Sequence, residues 1–253
     1  MVELSAHEMW LEPVKYQLNL NDTLLADEKV GQEFKGNKYG YLSSSYNKLL
    51  ITVNNKTRAV KSRIGDLPAI HEKVTEEGLT ILSAETSTSV LTYNNWDIFE
   101  GFLKSKGLDW VLAAHTKRGL TKKDLTEAYT RYPKALVKVG DGKGKDKFMG
   151  MPLEWLAETN PYTTKSGAIK LRLFWKGKPL AHEHVGVFNR INGKLIKTSL
   201  TTDTEGRVAV PRAQGGKFLI NAVQMIEATK DLEEDTGAKW ESLWASMTYA
   251  LEQ

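Results

Sequence analysis

Between Trp175 and Val223 the chain reads WKGKPLAHEHVGVFNRINGKLIKTSLTTDTEGRVAVPRAQGGKFLINAV, and no other stretch restricts the fold so strongly. Lys176-Gly177-Lys178-Pro179 is a turn signal. Asn192-Gly193 is a stronger one, because both central residues of a type I′ hairpin turn need positive φ. Thr202–Gly206 supplies another. Between the first two, Val185 and Val187 alternate with Gly186 and Phe188, the two-residue period of a strand with unlike faces. Short strands separated by turns about every 8–12 residues predict a β-sandwich rather than a parallel sheet.

The rest of the chain follows the same pattern with one interruption. Val14–Leu20, Val30–Phe34, Leu49–Val53, Arg58–Ile64, Leu79–Ala84 and Ser87–Tyr93 read as strands, with a turn at Gly36-Asn37. Asn95 can cap a helix over Trp96–Lys104, and a second helix is expected over about Leu108–Lys117. Thr121–Asp124 resembles a capping box, so a third helix is expected through Leu125 and Tyr132, ended by Pro133. Asp141–Lys147 (DGKGKDK) reads as a mobile loop and Ala228–Gly237 as a polar loop. Trp240–Leu251 alternates as a closing strand that turns Trp240 and Trp244 toward a core. The expected division is an N-terminal sandwich over residues 1–150, with a helical insertion over about 96–132, and a C-terminal sandwich over residues 151–253.

Charge is spread along the chain, with 35 Lys and Arg against 31 Asp and Glu and a net charge of +4. The densest basic cluster, Lys143, Lys145 and Lys147, lies in the solvated loop, and no stacking aromatic series accompanies it, so no nucleic-acid partner is expected. There is no cysteine, hence neither disulfide nor thiolate chemistry. No stretch approaches the roughly 18 apolar residues of a membrane-spanning helix. Leu4-Ser5-Ala6 ends like the small-residue tail of a secretory cleavage site.

Several segments carry a resemblance: His7–Pro13 (HEMWLEP), Leu108–Ala114 (LDWVLAA), Tyr129–Gly140 (YTRYPKALVKVG), Met151–Glu154 (MPLE), Gly177–Leu180 (GKPL) and Trp240–Ala245 (WESLWA). In content and order the chain resembles the bacterial periplasmic family called domain of unknown function 4198, from end to end. The fold class expected is mainly β, two immunoglobulin- or transthyretin-like sandwich domains with a short helical insertion in the first. The resemblance implies that the C-terminal one is similar to transthyretin-like sandwiches. It also implies export to the periplasm, with the signal peptide removed, and a part in nickel or cobalt uptake beside a membrane metal transporter. At Ala181–His184 the sequence departs from the family pattern, which has small residues where this chain has His182-Glu183-His184.

The candidate chemistry rests on five histidines, because imidazole nitrogen suits nickel, cobalt and copper. His182 and His184, two apart, would share one face of a strand and converge on one ion; the competing reading is an exposed turn just before the strand. His7, if exposed by cleavage after Ala6, would offer an imidazole and a free amine together; otherwise it is the first ordered residue beside Trp10. His71 and His115 read as surface residues. Ser43–Ser45 lacks a nucleophile elbow, and Gly140–Gly144 opens no helix, so no catalytic residues are expected. The function expected is a non-enzymatic, periplasmic transition-metal-binding protein with His7, His182 and His184 as ligands. A metal-free adhesion or carbohydrate-binding module is the alternative, with Trp240 and Trp244 as its candidate platform.

Overall fold

The computed structural model describes residues 7–165, 167–212 and 215–251. The fold is mainly β, in a sandwich-like arrangement of three open sheets. The largest has ten strands, running in space from Lys194–Thr201 through His184–Ile191, Gly216–Glu227, Trp240–Leu251, Leu125–Val139, Gly78–Thr86 and Tyr46–Val53 to Lys56–Ala59. Gln17–Leu18 and Ser89–Tyr93 also pair with Leu125–Val139. A four-stranded sheet is built on Thr23–Gln32, which pairs with Glu8–Pro13, Lys35–Tyr39 and Ile70–Lys73. A second four-stranded sheet is built on Ala168–Trp175, with Leu153–Ala157, Lys178–Pro179 and Arg207–Pro211.

Alternation along the central strands explains how the layers stack. Leu136, Ile220, Ala222, Ala245 and Met247 point into one core with Leu153, Trp155, Leu171 and Leu173 of the Ala168–Trp175 sheet. Ala135, Val137 and Val139 point the opposite way, into a core with Leu11, Leu24 and Ile70 of the Thr23–Gln32 sheet. The large sheet is thus covered on both faces. Its second face also carries the helices, where Val223, Met225, Trp240 and Trp244 pack on Phe99, Phe102 and Leu103. Two hydroxyls of the closing strand tie the first strand down on that face: Ser246 Oγ donates to the Met9 carbonyl at 2.7 Å and Thr248 Oγ1 to the Leu11 carbonyl at 2.6 Å.

The sequence expectations meet several corrections here. The halves expected as separate sandwiches share the ten-stranded sheet: Leu125–Val139 lies parallel to Trp240–Leu251, from Glu127 opposite Trp240 to Ala135 opposite Thr248. The third helix expected through Leu125 and Tyr132 is part of that strand. Pro133 is tolerated because the antiparallel neighbours on the other side leave a gap: Ser89–Tyr93 pairs up to Tyr129, and Gly78–Thr86 resumes at Leu136. Helices form at α1 (Trp96–Ser105) and α2 (Trp110–Lys117), as expected within a residue or two. The polar segment after Ala228 contains a further helix, α3 (Lys230–Thr236). Its signals are local: Thr229 caps the Leu232 N–H, acids fill the first turn and Gly237 closes it in the left-handed region. The Gly36-Asn37 turn is displaced to Glu33 and Phe34, whose φ of 54° and 62° make the hairpin there.

Where the two long parallel strands meet, Glu127 is buried, and among the described residues it has no ionic partner in hydrogen-bonding contact. It accepts from the Tyr93 hydroxyl at 2.6 Å and from Ser242 Oγ, which in turn accepts from Trp244 Nε1 at 2.8 Å. Burial pushes its carboxyl from 4.5 up to about 7, against the hydrogen bonds and the Arg131 charge. Between those two values the folded chain holds a proton that the unfolded chain has lost. The stabilisation is therefore complete below about 4.5 and disappears as pH rises through about 7. Glu127→Gln, neutral at every pH, should gain on the parent by an amount on the order of 3 kcal/mol between pH 5 and pH 8. Urea unfolding of both proteins at pH 5, 6.5 and 8 measures this; parallel profiles would count against a protonated Glu127.

Candidate functional site

The sequence dictates the frame of the site through α1. Asn95 Oδ1 accepts from the Asp97 N–H at 2.9 Å and starts the helix, and Phe99, Phe102 and Leu103 bury its inner face. Phe102 stacks on Trp244 with ring centroids 5.4 Å apart. The helix ends at Lys106, and Gly107 takes a φ of 70°. A glycine is required here, because a Cβ at this point would lie 2.8 Å from the His184 Cβ. The helix end is thereby set directly against the start of the His184–Ile191 strand.

Lys106 is the centre of the arrangement. Its Nζ lies 2.7 Å from Glu8 Oε1, 3.5 Å from Asn221 Oδ1 and 5.2 Å from the centroid of Trp244. Glu8 is buried, and its second oxygen accepts from the Glu33 N–H at 3.1 Å. Two cavities flank this lysine and share Ser105 and Lys106 in their walls. One, of about 320 Å³, is lined by His7, Gln32, Asn95 and Asp97 among others. The other, of about 170 Å³, is lined by His184, Ser199 and Asn221 among others.

The histidines are distributed differently from expectation. His7 is half-buried at the larger cavity, and its carbonyl accepts from Arg131 Nε at 2.9 Å. His184 opens its strand and faces the smaller cavity; burial, and then the Lys106 charge, lower its pKa and favour the neutral ring. His182 lies outside the strand, exposed, on a bend with a φ of 59°, its N–H bound to the Thr202 carbonyl at 3.0 Å. The shared strand face expected for the two imidazoles is therefore not formed. Between them, Glu183 is pushed by burial to about 7, against a hydrogen bond from the His184 N–H. His71 is exposed, as expected.

His115, expected at the surface, is buried. Its Nδ1 accepts from Trp240 Nε1 at 3.1 Å, so its Nε2 carries the proton and donates to the Thr121 carbonyl at 3.2 Å. Burial lowers its pKa, and the charges of Arg118 and Lys122 act in the same direction. Trp240 and Trp244 are buried as well, which removes them as a platform for a sugar ring. Among the described residues no three His, Cys, Asp or Glu side chains lie close enough together to hold a metal ion. His7 lines the larger cavity and His184 the smaller one, with Lys106 in the wall of both. The cleavage-like segment Leu4–Ala6 lies outside the described residues.

Sequence reasoning missed Lys106, Glu8 and Asn221. Lys106 and Asn221 lie in no local motif, and Glu8, though within the His7–Pro13 segment, has no signal of its own; they come together from a helix end and two strands far apart in the chain.

Residues 4–226 match the family described as Domain of unknown function (DUF4198). The chain belongs to the DUF4198 family. No curated protein matches this family member. Among solved structures it is similar to a tetra-tandem repeat from the extending region of a large adhesion protein, at 10% identity and a TM-score of 0.24. That match covers 98% of this chain and 50% of the other. Salmonella alpha-2-macroglobulin reacted with methylamine matches at 11% identity and a TM-score of 0.23, covering 97% of this chain and 15% of that one. Escherichia coli alpha-2-macroglobulin activated by porcine elastase matches at 10% identity and a TM-score of 0.21, covering 96% and 20% respectively. The chain thus spans half or less of the length of each of these structures. No helix among the described residues is long and apolar enough to cross a membrane.

Proposed function

We propose that this DUF4198 protein is a non-catalytic, periplasmic binding protein that takes up a transition metal ion at His7, in a form of the chain that begins at that residue. The observation that carries this reading is the position of His7. Its carbonyl is anchored on Arg131, and its side chain lines a polar cavity of about 320 Å³ with Asn95, Asp97 and Gln32. An amine and an imidazole on one residue form a chelate, and nitrogen donors favour nickel, cobalt or copper over calcium or magnesium. Asp97 places a carboxylate in the same cavity wall, whereas Asn95 Oδ1 is committed to capping α1. Delivery to a membrane metal transporter follows from the uptake role that the family resemblance implies.

Nickel and copper are titrated calorimetrically into the full chain, the form beginning at His7, the same form with His7→Ala, and the same form with His182→Ala and His184→Ala. The form beginning at His7 should bind one ion at least tenfold more tightly than the full chain, and His7→Ala should abolish the gain. Loss of binding in the double variant would return His182 and His184 to the ligand set. Equally weak binding in all four would end the metal reading and leave the metal-free module.

A further inference from the structure

The smaller cavity carries an inference independent of the metal. Asn221 is 2% exposed, in the Gly216–Glu227 strand, and its amide is asymmetric in its bonding. The oxygen faces Lys106 Nζ at 3.5 Å, while Nδ2 has no hydrogen-bond partner among the described residues. Exchanging the two amide atoms would set an N–H against an ammonium, so the orphan is the donor. A buried amide donor is normally satisfied, and an exception calls for an explanation.

The surroundings supply one. Across the ladder Asn221 faces Gly186, over which the Phe188 ring packs, and all three line a cavity that also reaches Lys106 and His184. The cavity there, about 170 Å³, holds several water-sized groups but falls below the roughly 300 Å³ of drug-sized pockets. Its available groups are mainly donors: Asn221 Nδ2, the Lys106 ammonium and the Ser199 hydroxyl. Of the carboxylates nearby, Glu8 is engaged by Lys106 and the Glu33 N–H, and Glu33 Oε2 by Lys197, while the neutral His184 ring offers one donor and one acceptor nitrogen. Lys106 Nζ and Asn221 Nδ2 are neighbouring N–H donors, a pair that the two oxygens of one carboxylate can bridge.

We infer that the cavity between Lys106, His184 and Asn221 is a binding site for a small monocarboxylate, whose oxygens accept from Asn221 Nδ2 and Lys106 Nζ. The ligand is recognised by a donor pair at the floor and limited in size by Gly186 and Phe188. The Phe188 ring, 3.1 Å from where a Gly186 Cβ would stand, closes one wall.

The test is a titration of the ¹⁵N-labelled full chain, without metal, with acetate, acetamide, glycerol and inorganic phosphate. The Asn221 side-chain amide resonances should shift saturably with acetate, and at least tenfold more weakly with acetamide, glycerol and phosphate. Asn221→Leu, of similar volume, should keep the thermal transition and lose acetate affinity at least tenfold. Acetate binding unchanged in that variant, or Asn221 resonances unmoved by acetate, would overturn the inference. Equal response to acetate and phosphate would reduce the site to a general anion contact and overturn the carboxylate assignment. None of these measurements uses the form beginning at His7, so the metal reading can fail without affecting this one.

Discussion

Replacing Lys134 by Met is expected to destabilise the protein by about 3–5 kcal/mol. Lys134 is fully buried in the Leu125–Val139 strand. Its ammonium lies 2.8 Å from Glu154 Oε1 and 3.3 Å from Asp146 Oδ1, and it donates to the carbonyls of Trp155 at 2.8 Å and Lys147 at 3.0 Å. The carboxylates are further held by backbone donors: Glu154 by Met149 and Met151, Asp146 by Lys147 and Ala157. The cluster already carries one cation against two acids, and burial raises the Asp146 pKa. Removing the cation strands two carboxylates and two carbonyls away from water. The triple change Lys134→Met, Asp146→Asn, Glu154→Gln removes the stranded charges and should recover about half or more of the loss. Urea unfolding at pH 7 of the parent, single and triple variants decides the point. A single variant within about 1 kcal/mol of the parent would show that the ammonium is dispensable.

Trp240→Ala should cost about 3–5 kcal/mol, chiefly by loosening α2 from the sheet. The indole is buried, edge-on to Trp110 with centroids 6.1 Å apart, beneath the Arg118 guanidinium at 4.7 Å, and bound through Nε1 to His115. Truncation opens a cavity and orphans the His115 Nδ1 as well. Trp240→Phe fills most of the volume and should cost noticeably less, the difference reporting the indole hydrogen bond and the remaining void. Amide hydrogen exchange over Trp110–Lys117 should accelerate in the alanine variant while the Ala168–Trp175 sheet stays protected. Uniform acceleration through both regions would mean that α2 has no stability of its own to lose.

Local pattern was enough to determine much of this protein. The alternation of Val185 and Val187 with Gly186 and Phe188, and the Asn192-Gly193 turn, specify the His184–Ile191 hairpin, because a two-residue period and positive φ are properties of the chain itself. Asn95 and the spacing of Phe99 and Leu103 specify α1 in the same way, and the alternation after Trp240 specifies the closing strand. Thr229 and Gly237 are equally local signals for α3, in a segment whose charge reads as a polar loop.

Only the tertiary structure decided the rest. Leu125–Tyr132 has a cap-like start and helical spacing, yet it is a strand, because nine residues of parallel pairing with Trp240–Leu251 outweigh a local preference. Asp141–Lys147 reads as a free loop, but Asp146 is drawn inside by Lys134, a partner twelve positions away whose burial no local pattern reveals. His115 is polar in sequence and buried in the fold because Trp240, 125 positions on, supplies its hydrogen bond. The site follows the same rule. His7 and His184 were visible as residue types, whereas Lys106, Glu8 and Asn221 gain meaning only when a helix end and two distant strands meet around one buried charge.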